Sequence, residues 1–275
     1  MVGIGFRPQL KGELFLYPES VDFLEITADH YFTKNKEKRD ELALLRNHFT
    51  LIPHGLNTSF GSAEGIDQKY IDKMAEIIAF VNPPYWSEHL CFTKAGGIEL
   101  GHLAAVPFTN EMVDVFCKNI ETVRKTIKTP LILENITYNF VVPSSEMSEA
   151  AFISKVVNQA NIGLLLDITN LFINAKNHHF DYQQFLKEIP AEKVVQFHFV
   201  GAYQKNDIWY DGHAHKVNDE IWEVLEYATK NTAVKTMILE RDENIPHLQE
   251  LSKEIEKARN ILKAKNNSLS LFNTF

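Results

Sequence analysis

Six short apolar runs in this chain end on a side chain that can hold a proton or a metal ion. "LIPHG" (51–55) contains His54, "SEHL" (87–90) contains His89, and "LILENI" (131–136) carries Glu134. "GLLLDITN" (163–170) runs into Asp167 and Asn170, "FHFVG" (197–201) holds His198, and "MILERD" (237–242) holds Glu240. A further stretch, "DGHAH" (211–215), adds Asp211 and His213. Four of these residues are carboxylates, Glu134, Asp167, Asp211 and Glu240. Gathered at one place they would raise one another's pKa unless cations offset the charge. Mixed imidazole and carboxylate ligands suit iron, manganese or zinc, whereas calcium and magnesium favour all-oxygen sets. A bridging carboxylate such as Glu134 would let two or three ions share the site.

Taken singly, each residue has a plainer explanation. His198 alone would be a satisfied core histidine, and Asp167 alone a cap for the helix that follows it. His54 before Gly55 would be a turn residue, and Glu240-Arg241-Asp242 a local ion-pair cluster. His102, His178 and His179 fall in stretches of loop or surface character. Taken together the plain explanations require the polar residue to fall by chance at the same end of six strands.

The elements that must position these residues alternate in type. β-rich apolar runs at 2–6, 22–27, 50–56, 85–90, 131–136, 163–168, 194–200 and 236–241 predict eight strands. Leu164, Leu165 and Leu166 have the unbroken apolar character of a strand buried on both faces. Between the runs, apolar residues at helical spacing predict helices over 66–81, 110–128, 218–231 and 247–263, with Ser145 and Ser148 as caps before another. Strands alternating with helices imply parallel strands joined by right-handed crossovers. Eight such units suit an α/β fold of the (β/α)8 TIM-barrel type, whose active sites lie at the C-terminal ends of the strands. A doubly wound sheet would want a Gly-rich phosphate turn after its first strand, and "GIGFRP" is not one. No linker divides the chain, so 1–264 is expected as one barrel domain and 265–275 as a C-terminal tail.

The bulk composition narrows the function classes. The 275 residues carry a net charge of −8, which argues against a duplex-binding protein that must meet phosphates. No apolar run reaches the roughly 18 residues of a membrane span, and the N-terminal "MVGIGFRPQLKGE" lacks the pattern of a signal peptide. Two cysteines, Cys91 and Cys117, make no disulfide framework, so the cytoplasm is the default compartment. Cys91 follows "SEHL" closely and is expected as a packed core thiol.

With these segments in view, the chain resembles the multinuclear nonheme iron-dependent oxidative enzymes, the family of the methanobactin-type peptide-modifying oxygenases. The resemblance runs from about residue 3 to residue 262. It is carried by "GIGFR", "DFLEITADHYF", "HGLNTSFGS", "SEHLCFT", "LILENITYNF", "GLLLDITNLFINAKNHHFD", "FHFVGA", "DGHAHKV" and "LERDENIP" in that order. The family is similar in fold to the xylose-isomerase-like barrels, including the three-metal apurinic endonucleases. The resemblance implies that His54, His89 and Glu134 hold one metal, and that Glu134, Asp167, His198 and Glu240 hold a second. Asn170, Asp211 and His213 would hold a third, and Asn170 stands where the endonuclease-like barrels have a histidine. Gln9, Leu10 and Lys11, and the pair Asp29-His30, also depart from the family pattern.

What the resemblance implies about function is an oxygenase that uses two or three iron ions and O2 to modify a cysteine of a ribosomally made precursor peptide. A small partner protein would deliver that peptide. Three other readings use the same residues. A divalent-metal sugar isomerase or epimerase would take Glu134 and Glu240 as its paired carboxylates. A metal-dependent phosphodiesterase or apurinic endonuclease is disfavoured by the charge and by Asn170, and a metal-storage protein would need no catalysis at all.

Overall fold

The structure, a computed structural model, describes the backbone of residues 1–272 and the side chains of residues 1–265. The strands, in chain order, are β1 (Val2–Gly5), β2 (Leu24–Thr27), β3 (Leu51–His54), β4 (Trp86–His89), β5 (Phe92–Ala95), β6 (Ile98–Ala104), β7 (Leu131–Glu134), β8 (Gly163–Asp167), β9 (Val194–Phe199), β10 (Gly201–Lys205), β11 (Ile208–His215) and β12 (Thr236–Leu239). The helices are α1 (Lys11–Leu16), α2 (Lys36–His48), α3 (Gln68–Val81), α4 (Asn110–Thr126), α5 (Glu149–Gln159), α6 (Ile168–His178), α7 (Tyr182–Glu188), α8 (Asp219–Asn231) and α9 (Leu248–Phe272). Eight of the strands close a parallel barrel in the order β1-β12-β9-β8-β7-β4-β3-β2. Each corresponds to one of the eight apolar runs. The segment expected as a tail, 265–275, enters α9 as far as Phe272; residues 273–275, and the side chains from 266 on, lie outside those described.

Strand sequence explains both faces of the wall. Successive side chains alternate in and out, so residues two apart share a face. Outward residues such as Leu133, Leu164, Leu166, Phe197 and Phe199 belong to one continuous core beneath the helices. Inside the ring, Phe23, Ile52 and Ile238 form a separate small cluster with Tyr85 packed against it. These lie two residues before Glu25, His54 and Glu240, so the same inward faces pass from an apolar floor to polar groups at the strands' C-terminal ends.

The helices obey their own period. On α4 the buried positions Val113, Phe116, Ile120 and Val123 follow the three- and four-residue spacing of one face. Starts are capped by Asn35, Asp67, Thr109, Ser148, Asp167 and Asp181, whose side chains accept a backbone N–H of the first turn. Each cap of this kind contributes about 1 kcal/mol. Ser148 caps α5 as expected, while Ser145 Oγ accepts the Phe108 N–H instead.

Two hairpins, β5–β6 and β10–β11, interrupt the alternation just after β4 and β9. Both turn on two residues with positive φ, Gly96-Gly97 and Asn206-Asp207, the backbone of a type I′ turn. The second hairpin leaves the barrel at Gly201. A Cβ there would lie 2.0 Å from the Lys216 carbonyl oxygen and 2.6 Å from that of His215. Gly201→Ala is therefore expected to destabilise the protein by about 3 kcal/mol, the upper part of the overpacking range. A denaturant midpoint equal to wild type would show that the hairpin base gives way freely.

Candidate metal centre

The C-terminal ends of β3, β4, β7, β8, β9 and β12 meet at one mouth of the barrel. His54 and His89 end neighbouring strands, and their Nε2 atoms stand 3.3 Å apart. Glu134 Oε2 lies 3.6 Å from each of them. Two ligands about 2.1 Å from a common ion at a tetrahedral angle are separated by about 3.4 Å, so these three atoms have the spacing of one coordination shell. On the other side of Glu134, its Oε1 lies 3.3 Å from His198 Nδ1, and Glu240 Oε2 lies 3.1 Å from the same nitrogen. Glu134, Asp167, His198 and Glu240 offer ligand atoms within 4.8 Å of one another, as do His54, His89 and Glu134. Glu134 is common to both sets and presents a different oxygen to each.

The third expected group is arranged differently. Asp211 Oδ2 contacts His213 Nε2 at 2.9 Å, but the atoms close enough to share one ion with His213 are those of Glu240 and Asp242. His213 Nδ1 contacts Asp242 at 3.1 Å. Asn170 Nδ2 donates to the Asn135 carbonyl, and Asn170 Oδ1 is buried with no hydrogen-bond partner. Asp211 Oδ1 is orphaned in the same way. Asp242, expected only as part of a local ion-pair cluster, is held by Arg7. Arg241 instead pairs with Glu254 at 3.4 Å, so "ERD" is not a local ion-pair cluster.

Electrostatics fits the same picture. Burial pushes the Asp167 carboxyl well above the carboxylate range, and the charges of Glu134 and Asp211 push it further. It is the anion the cluster has in surplus. Burial alone would lower the His198 pKa, but the charges of Glu25, Glu134 and Glu240 raise it well above its ordinary value. Burial likewise opposes a charged His89, and Glu134, with Glu88, carries it up to about 9. At His213, burial is outweighed by Glu240 and by the bonds to Asp211 and Asp242, which push it up to about 12. Glu134 Oε2 and His198 Nδ1 are buried, face the cluster and make no hydrogen bond, whereas His89 Nδ1 faces Glu88 at 3.5 Å. Orphaned lone pairs beside surplus negative charge are what a bound cation satisfies, so the residues present fit metal ions.

Both readings of Asp167 hold at once. One oxygen caps α6 by accepting the Asn170 N–H at 2.7 Å, and the carboxylate still belongs to the cluster. Supporting residues that sequence reasoning missed surround the ligand types. Ser87 Oγ holds His54 Nδ1 at 2.8 Å, and Asn135 Oδ1 accepts the Asp167 N–H at 2.8 Å. Glu88 accepts the Thr58 and His89 N–H groups at 2.6 and 2.7 Å. Glu25 reaches His198 Nε2 at 2.9 Å. Asp29, one of the departures from the family pattern, accepts from Leu56 N and Tyr70 Oη and so ties a mouth loop to α3. Cys91 is a buried thiol, pushed well up by burial and then by Glu88 and Glu134. His102 is exposed, while His178 stacks on Tyr138 with ring centroids 4.4 Å apart.

Fold and site together define a xylose-isomerase-like TIM barrel whose C-terminal mouth carries a histidine–carboxylate cluster able to hold metal ions. The chain belongs to the RiPP precursor modification enzyme family MbnB/TglH/ChrH, whose model matches residues 1–263; RiPPs are ribosomally synthesised, post-translationally modified peptides. It is 33% identical over 267 residues to a UPF0276 protein of Rhizorhabdus wittichii, covering 96% of this chain and 95% of that one. It is 33% identical over 258 residues to a UPF0276 protein of Shewanella loihica, covering 93% and 92%. Among solved structures it is similar to a xylose isomerase domain protein from Planctomyces limnophilus, with TM-score 0.63, 13% identity, and 97% and 98% of the two chains covered. An L-ribulose 3-epimerase gives TM-score 0.60 at 13% identity, with 98% and 97% covered. At such identity these structures establish the fold alone. No helix among the described residues is long and apolar enough to cross a membrane.

Proposed function

We propose that this protein is an iron-dependent oxygenase that modifies a cysteine residue of a precursor peptide, with O2 as co-substrate and two or three iron ions. The observation that carries the reading is Glu134, which turns one oxygen toward His54 and His89 and the other toward His198. A carboxylate so placed spaces two ions closely enough for both to act on one substrate. Membership of a peptide-modifying family supports a peptide as that substrate. Iron, when bound, would hold a cysteine thiolate and activate O2 beside it. The protein's own part is to set the geometry. Ser87 and Glu88 fix the rings of His54 and His89, and Asn135 fixes the strand end that carries Asp167. Burial of five of the ligand residues, His54, His89, Glu134, Asp167 and His198, keeps bulk water from that part of the cluster. Half-buried Asp211, His213 and Glu240 mark the side from which a peptide approaches. Asn170, Asp211 and His213 are assigned to the third ion, with Glu240 and Asp242 adjoining it. A small partner protein that delivers the peptide, and a cytoplasmic setting, belong to the same reading.

Anaerobic purification followed by iron analysis and a visible spectrum tests it directly. The expected result is two or three iron ions per chain and, on admission of O2, a mass change in a cysteine-containing precursor peptide. A colourless protein that holds only zinc or magnesium and turns over free sugars would establish the epimerase reading instead.

A further inference from the structure

Beneath the proposed metal ligands, a chain of hydrogen bonds crosses the barrel interior and ends on a carboxylate outside the ligand set. Glu25, on β2, is 3% exposed. Its two oxygens lie 2.9 and 3.0 Å from His198 Nε2. Among the described residues no lysine or arginine pairs with it. Gln196, two residues before His198 on the same inward face of β9, donates its Nε2–H to Glu25 Oε2 at 2.9 Å. Tyr85 Oη donates in turn to Gln196 Oε1 at 2.7 Å and lies 2.9 Å from Thr236 Oγ1. Gln196 Nε2 also stands 3.1 Å from His198 Nε2, but both Glu25 oxygens are nearer to that ring nitrogen and a carboxylate only accepts, so the ring proton points to Glu25. Thr236 and Tyr85 orient the Gln196 amide, the amide presents its N–H to Glu25, and Glu25 is left as an acceptor. His198 Nε2 must then be a donor, so its unshared nitrogen is Nδ1. That atom faces Glu134 and Glu240 and has no hydrogen-bond partner. His54 is the opposite case, because its Nδ1 is held by Ser87 and its Nε2 faces the cluster.

We propose that Glu25 is a positioning residue that fixes His198 to bind through Nδ1 and, as an anionic partner of that ring, holds the central iron toward its more oxidised state. The inference rests on the iron-site reading above. A carboxylate on the far N–H of a ligating imidazole fixes ring and tautomer and raises ligand basicity, and losing such a partner typically costs about 10–100-fold in metal affinity. A fixed negative charge next to the ion also favours the higher charge state of the metal. Burial strengthens both effects, since no water screens Glu25 from the ring.

The test compares wild type, Glu25→Gln, Tyr85→Phe and His198→Ala as full-length chains, titrated anaerobically with ferrous ion alone and then poised electrochemically. Glu25→Gln is expected to bind the ferrous ion that His198→Ala loses about 10–100-fold less tightly than wild type and to show a higher midpoint potential. Tyr85→Phe touches no ligand and only loosens Gln196; it should shift the potential the same way by a smaller amount, and it carries the test if Glu25→Gln does not fold. The thermal midpoint of the metal-free variants monitors the fold. Affinity and potential equal to wild type in Glu25→Gln would overturn the proposal, and so would weaker binding with an unmoved potential, which is the signature of a purely structural role. If wild type and His198→Ala take up ferrous ion alike, the ligand assignment itself fails and Glu25 loses its role with it.

Discussion

Glu134→Ala is expected to remove both inner iron positions at once, taking iron content down by two ions per chain and peptide turnover down by at least about 10³-fold. The reason lies in how the residue is shared. Glu134 Oε2 completes the set with His54 and His89, while Oε1 completes the set with His198. His54→Ala, by contrast, touches one set and should cost one ion. The variants are separable by metal analysis before any activity is measured. Equal stoichiometry in Glu134→Ala and His54→Ala would mean that Glu134 does not bridge.

The second large effect concerns stability rather than catalysis. Glu149, at the start of α5, is buried, with Tyr138 Oη donating to its Oε2 at 3.1 Å. Burial raises its pKa to about 8, from an ordinary 4.5. The folded protein therefore keeps this proton in a range where the unfolded chain has released it. Between those two values the folded state binds more protons, so stability falls as pH rises through the window and levels off above it. The full loss from this one group is on the order of 5 kcal/mol. Glu149→Gln has no proton to lose and still accepts the Tyr138 hydroxyl. Its advantage over wild type should grow from near zero at about pH 5 to several kcal/mol at about pH 9, measured by urea denaturation. A gain that is the same at both pH values would show that the carboxyl titrates normally.

Much of this architecture was legible because the barrel writes itself as repeated local events. Each of the eight wall strands is a short apolar run, and a strand buried on both faces needs no partner to be recognised. His54, His89, Glu134, Asp167, His198 and Glu240 stand out because each ends such a run, and their recurrence at the same end of six strands is what local roles such as the Asp167 cap do not explain. The two hairpins left weaker signals. "AGGI" and "KNDI" carry the Gly-Gly and Asn-Asp pairs that type I′ turns demand, but their strands are largely exposed and lack the apolar runs of the wall. Glu25 in "FLEIT" and Gln196 in "VVQFHF" sit mid-strand, where alternation looks like an ordinary solvent face. Only closure of the ring turns that face inward. Asp242 reads only as part of a local ion-pair cluster, for a different reason. Its role depends on Arg7, 235 positions away in the chain, and no local pattern encodes such a pairing.

The floor made by Phe23, Ile52 and Ile238 has a consequence for traffic. These side chains are 2%, 2% and 0% exposed, and they stopper the end of the ring opposite the ligands. On the iron-oxygenase reading proposed above, ions, gas and peptide would then come and go at the ligand end, where the β10–β11 hairpin brings Asp211 and His213 to the mouth. A peptide seated there would cover the same end that the ions use. On that reading metal loading would precede peptide binding, and product release would precede the next turnover.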